Sequence, residues 1–277
     1  MIEKKLKTTL VYLAPVLASL TFGLLCATLI AATQTMLYPV APFSEDALGV
    51  LGSFGNAIYF VILVFVGATL LYFLMKKKNY KLITIVTTFA LTTAVFMLSF
   101  VYLFIIFSTI DVPYATGTTL IAISILITAL ADYAIFRTSK LANIFILGIG
   151  GALGTFLGSS IPTISTILIL SFLAIYDTFA VYRGPVGKIV RGGLDQFRGL
   201  SYSFRDMQMG LGDLTFYSML SGHMLLNFGP ISSLASIIGI LAGCILSFIM
   251  LEKKGMFPGL PFPILFGLTA GLLVSLF

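Results

Sequence analysis

The sequence predicts an all-α fold: a bundle of nine transmembrane helices with the N-terminus in the cytoplasm and the C-terminus outside. Three observations lead there. Of 277 residues, 59% are hydrophobic and only 9% are charged, where an average soluble domain carries about 25% charged residues. The apolar residues gather into runs of about 20, the length that crosses a hydrocarbon core about 30 Å thick. Between those runs, all 16 Lys and Arg residues fall on one side of a nine-span arrangement.

The first span is read at 9–32, behind Lys4, Lys5 and Lys7. Its apolar run exceeds the 7–15 residues of a cleaved signal core, so it is expected to be a retained helix. Spans two and three, 51–75 and 82–108, are joined by Lys76, Lys77, Lys78 and Lys81. Spans four and five, 117–136 and 141–159, flank Arg137 and Lys140, and the short Gly158-Ser-Ser-Ile-Pro162 break leads into span six at 162–182. A Gly- and Arg-rich loop, 183–207, carries Arg183, Lys188, Arg191, Arg198 and Arg205. Spans seven and eight follow at 208–228 and 231–251, then Lys253 and Lys254, then span nine at 258–277. The opposite side holds Glu45, Asp46 and Asp111 and no basic residue. The positive-inside rule sets the orientation from this segregation. Residues 1–277 are read as a single membrane-embedded domain: six spans (1–182), the cytoplasmic loop and three spans (208–277). The location is the cell membrane.

The formal net charge of +6 follows this topology, so nucleic acid is not an expected partner. The basic loop reads either as a segment lying along an anionic leaflet or as a solvated loop that sets topology. Cys26 and Cys244 fall within apolar runs and read as packing residues. With one His and two Cys in the chain, neither a metal site nor a cofactor is expected.

Two acids stand inside apolar runs, Asp177 on span six and Asp213 on span seven. A carboxylate at the centre of a membrane helix costs roughly 2.5–3.5 kcal/mol, which makes an intramembrane acid a functional candidate by default. Each is placed about five residues, or roughly 8 Å, inside the cytoplasmic surface on consecutive helices. Two carboxylates a few Å apart share one proton and titrate as a pair. That suits peptide hydrolysis: one Asp takes a proton from water while the other polarises the carbonyl and protonates the leaving amine. Gly210-Leu211-Gly212 immediately precedes Asp213, allowing a loosened helix or a close backbone approach. Pro258-Gly259-Leu260-Pro261 opens span nine from the same side, and irregular backbone at that depth is tolerated where it lines a cavity.

Tyr176-Asp177, Gly210-Leu211-Gly212-Asp213 and Pro258-Gly259-Leu260-Pro261 together resemble the presenilin and signal peptide peptidase aspartyl proteases. The run from Gly210 to Leu220 is most similar to presenilin, in particular to a microbial, archaeal-type homologue. The resemblance covers the nine-span plan and implies a presenilin-like bundle. It implies an intramembrane aspartic endopeptidase of the GxGD type, with Asp177 and Asp213 as the catalytic pair. Its substrates would be transmembrane helices of other proteins in the bilayer, and nothing in the sequence requires an accessory subunit. Tyr176, Gly210, Leu211, Gly212, Pro258, Gly259, Leu260 and Pro261 would bind substrate or shape the site. The chain departs from the family at Gly259, where the family has alanine, a small-for-small difference expected to keep the backbone geometry. It also lacks the family's long hydrophobic insert between spans six and seven.

A different class, a proton-coupled transporter or ion channel using the same acids, is the alternative reading, and a scaffold with inert acids is a third. Asp132 is read as snorkelling or pairing with Arg137 or a nearby basic residue. His223, about 15 Å farther along span seven than Asp213, is read as hydrogen-bonded to a neighbouring helix. Tyr217, at i+4 from Asp213, is on the right face to donate to a carboxylate. Gly150, Gly154 and Gly158 form a small-xxx-small ladder for close helix packing.

Overall fold

The computed structural model describes residues 2–33, 39–109, 117–137, 139–183, 201–204 and 207–277. Lys188, Arg191, Arg198 and Arg205 of the basic loop, and Asp111 on the opposite side, lie outside the described residues.

The elements in chain order are α1 (Ile2–Thr33), a short α2 (Glu45–Leu48), α3 (Val50–Lys76), α4 (Tyr80–Thr109), α5 (Gly117–Arg137), α6 (Ser139–Ser160) and α7 (Thr163–Tyr182). Then come β1 (Ser201–Phe204), β2 (Met207–Gly210), α8 (Leu211–Phe228), α9 (Pro230–Lys254) and α10 (Pro261–Val274). A long helix answers each of the nine apolar runs. Seven of them are long and apolar enough to cross a membrane by length and composition, and the chain is a multi-pass membrane protein. The other two are α8, with 18 residues, and α10, with 14.

Helix α8 falls short on hydropathy because of where it sits. It packs against α1, α6, α7, α9 and α10, and eleven of its residues are buried, among them Thr215, Ser218, Ser221 and His223. A helix enclosed by other helices satisfies its polar groups against protein, so it needs no continuous apolar surface. Outer helices read the other way. Helix α3 shows Ile58, Ile62, Phe65 and Leu70 to the outside, as expected of a helix that is apolar nearly all round.

The contact between α6 and α8 is backbone to backbone. A Cβ added at Gly154 would lie 2.2 Å from the Thr215 carbonyl oxygen and 2.7 Å from the Met219 nitrogen. Gly150 and Gly158 meet α8 one turn to either side, at Leu214 and Met219. The ladder read on span five is therefore the groove into which α8 fits.

The bundle is helical as expected, with one short hairpin before α8: β1 and β2 pair antiparallel, with Ser201 opposite Gly210 and Tyr202 opposite Met209. Two span limits need correction. The polar composition of 183–207 hid the short alternation of Ser201-Tyr-Ser-Phe204, whose period of two is the signature of a strand. As a consequence span seven begins at Leu211 and not at 208, because Gly210 is still extended (φ −69°, ψ 143°). Asp213 thus stands in the first turn of α8. Span nine is also shorter than read. Pro258 and Gly259 precede α10, and Pro261 sits in its first turn, where a missing N–H costs nothing.

The end of the bundle opposite the acids is locked by a polar knot. Glu45 Oε1 accepts from Ser53 Oγ at 2.8 Å and from the Ser165 N–H at 2.7 Å. Asn56, 0% exposed, donates to Ser165 Oγ at 2.8 Å and pairs with both backbone groups of Phe43 at 2.9 Å. These bonds tie α3 to the start of α7. Asn56→Ala leaves Ser165 and Phe43 unpaired, a cost of about 1–3 kcal/mol. The variant should unfold at lower temperature in detergent, a shift read directly by a thermal melt.

Candidate functional site

Three helix ends converge: the C-terminal part of α7, the first turn of α8 and the Pro258–Leu260 segment entering α10. Asp177 is partly buried five residues before the end of α7. Its Oδ2 accepts the Leu260 N–H at 3.0 Å. Asp213, also partly buried, packs against the neighbouring residue. A Cβ at Gly259 would fall 2.8 Å from Asp213 Oδ2 and 3.0 Å from its Cγ. One carboxyl therefore lies against Gly259 and the other is hydrogen-bonded to Leu260. A single peptide unit brackets both acids.

At Gly259 an alanine methyl would press on the end of the Asp213 side chain and on no backbone atom, so the carboxyl and not the backbone would have to shift. The other two motif glycines are under no such constraint. Gly210 is extended in a conformation open to any residue. Gly212 is exposed, and a Cβ there would meet only Phe216 at 3.8 Å. The surface at Gly212 is thus left open by the chain itself.

Leu211, Pro258 and Leu260 are buried, and Leu211 and Leu260 join the apolar core around α8. Pro261 starts α10. Tyr176 points away, its ring set edge-on to Phe65 of α3 at 6.3 Å, as befits a residue about 100° around the helix from Asp177. Tyr217 lies one turn beyond Asp213 but does not bond a carboxylate. Its hydroxyl donates to the Gly259 carbonyl at 2.8 Å.

Asp132 stands apart from this site. Its Oδ2 accepts from Thr92 Oγ1 of α4 at 2.7 Å, and its Oδ1 is buried without a partner. The expected pairing with Arg137 does not form; Arg137 lies over the Tyr133 ring at 5.4 Å. Five residues turn a helix by about 500°, which puts Arg137 well off the Asp132 face. His223 bonds the Gly158 carbonyl at 2.6 Å through Nδ1, which must therefore carry the proton, and Thr163 Oγ1 at 3.2 Å through Nε2. It ties α8 to the corner between α6 and α7, far from the acids.

One neighbour had no signal in the sequence. Cys244 of α9, 1% exposed, lies beside the Tyr217 hydroxyl. Its apolar context marks it only as a packing residue.

Among the described residues, no group of three or more His, Cys, Asp or Glu side chains is arranged to hold a metal.

No protein-family model and no curated protein matches the sequence. The fold does match solved structures. A presenilin family intramembrane aspartate protease in space group C222 superimposes with a TM-score of 0.66 at 18% identity, covering 96% of this chain and 99% of the other. A second structure of that description, in space group P2, gives 0.65 at 22% identity, covering 95% and 96%. The chain has the fold of these proteases over nearly its whole length.

Proposed function

We propose that this protein is an intramembrane aspartyl endopeptidase of the presenilin family, hydrolysing peptide bonds within transmembrane segments of other membrane proteins. The observation that carries the reading is the convergence of Asp177 and Asp213 on the Gly259–Leu260 peptide, within a fold shared with proteases of that class. The chain acts as one domain of nine spans. Its N-terminus is cytoplasmic, as the one-sided distribution of its basic residues requires.

Chemistry needs only water and the two acids. One carboxylate takes a proton from water as the oxygen attacks the scissile carbonyl. The other carboxyl, protonated, donates to the carbonyl oxygen, and a proton passes to the amine as the C–N bond breaks. The open space beside Gly212 is where an unwound stretch of substrate reaches Asp213. A helical amide is shielded by its own hydrogen bonds, so helix-weakening residues near the cut favour cleavage.

Gly259→Ala places a methyl group against the end of the Asp213 side chain and installs the residue that the resembled family carries at this position. The variant is expected to fold and to cleave, measured as kcat on a single-span substrate together with a thermal melt.

The reading is tested with purified protein reconstituted into liposomes alongside a single-span substrate, following both cleavage and ion flux. Cleavage fragments without a matching flux are expected. Flux that depends on Asp177 and Asp213, with the substrate intact, would instead establish the transport alternative.

A further inference from the structure

The geometry points to Tyr217 as a positioning residue: it holds the Gly259–Leu260 peptide, and through it the Asp177 carboxyl, in the arrangement turnover requires. This rests on the protease reading. The two polar groups of that one peptide unit have partners on two different helices. Its carbonyl, from Gly259, accepts from Tyr217 Oη on α8 at 2.8 Å. Its N–H, from Leu260, donates to Asp177 Oδ2 on α7 at 3.0 Å. A peptide unit is planar and stiff, so fixing the direction of the C=O fixes that of the N–H on its opposite edge.

The peptide needs that external tie. Gly259 has no side chain to hold its own torsions, and it precedes α10, whose first residue is Pro261. Tyr217, only 2% exposed, lies one turn along α8 from Asp213, so the same helix presents one acid to Gly259 and clamps the carbonyl of Gly259. The single hydroxyl proton of Tyr217 goes to that carbonyl. Helices α7 and α8 thus each send a side chain to the one peptide at the entry to α10. A displacement of the peptide would move Asp177 relative to Asp213, the one separation that a shared-proton mechanism depends on.

The experiment uses the full chain in detergent with a single-span peptide substrate, comparing the parent with Tyr217→Phe and Tyr102→Phe. Tyr102 supplies the control, because its hydroxyl bonds the Ala152 carbonyl between α4 and α6 at 2.9 Å, away from the acids. Tyr217→Phe is expected to lower kcat about 10- to 100-fold, with KM within about twofold of the parent and the unfolding midpoint close to that of Tyr102→Phe, which keeps parental kcat. Parental kcat in Tyr217→Phe overturns the inference. So does a loss of activity matched by an equal loss of folded protein, which would make the hydroxyl structural only. A parent that cleaves no substrate overturns the protease reading, and this inference with it; a parent that cleaves while both variants match it overturns this inference alone.

Discussion

Asp177→Asn and Asp213→Asn are each expected to reduce cleavage to background, a loss of at least about 10³-fold in kcat, with the substrate still bound. Asparagine preserves shape and can still hydrogen-bond, so the fold survives. Asp177→Asn keeps a carbonyl oxygen to accept the Leu260 N–H, and at Asp213 the substitution is close to isosteric beside Gly259. What disappears is the ability to take a proton from water and return it to the leaving amine. Residues acting as one unit are strongly non-additive. The double variant should therefore be no slower than either single variant. Initial rates and substrate capture by the three variants, measured side by side, check both expectations.

The largest structural effect is expected at Gly154. In Gly154→Ala the new Cβ would stand 2.2 Å from the Thr215 carbonyl oxygen and 2.7 Å from both the Met219 nitrogen and the Ser218 Cβ. Backbone cannot swing aside as a side-chain end can, so α6 and α8 must separate. Overpacking of this kind typically costs about 1–3 kcal/mol, and more when the neighbour is rigid. Because α8 carries Asp213 and Tyr217, its displacement also disturbs the site. The variant should show a lower unfolding midpoint and little activity. Gly148→Ala, on the same helix, is the contrast: its Cβ meets only Phe22 at 3.9 Å and should leave both properties unchanged. A thermal melt of the two variants separates a tight helix contact from a general intolerance of α6 to substitution.

Much of this molecule is readable from the chain because the bilayer imposes a simple ruler. Runs such as 51–75 and 82–108 are apolar on nearly every face, and helices α3 and α4 follow them closely. Even the short Gly158–Pro162 break is real: α6 ends at Ser160 and α7 begins at Thr163. The ruler fails where a helix faces protein instead of lipid. Around α8 the surroundings are other helices, so its polar residues are paired internally and its start is set by a strand ending at Gly210.

The acids themselves are legible because each stands against its apolar background. Their shared peptide is not. The Tyr217–Gly259 and Leu260–Asp177 bonds join residues 42 and 83 positions apart, and no local pattern encodes such a distance. Asp132 shows the same limit: proximity in sequence suggested Arg137, while its partner, Thr92, lies 40 residues away on α4.

The most direct test of the account is to map the new termini produced from a single-span substrate by the purified protein, using mass spectrometry, with Asp177→Asn and Asp213→Asn as controls. The account predicts parental products whose new ends lie inside the apolar segment of the substrate, and none from either variant. Cuts confined to the soluble flanks, or the same products from either variant, would contradict it.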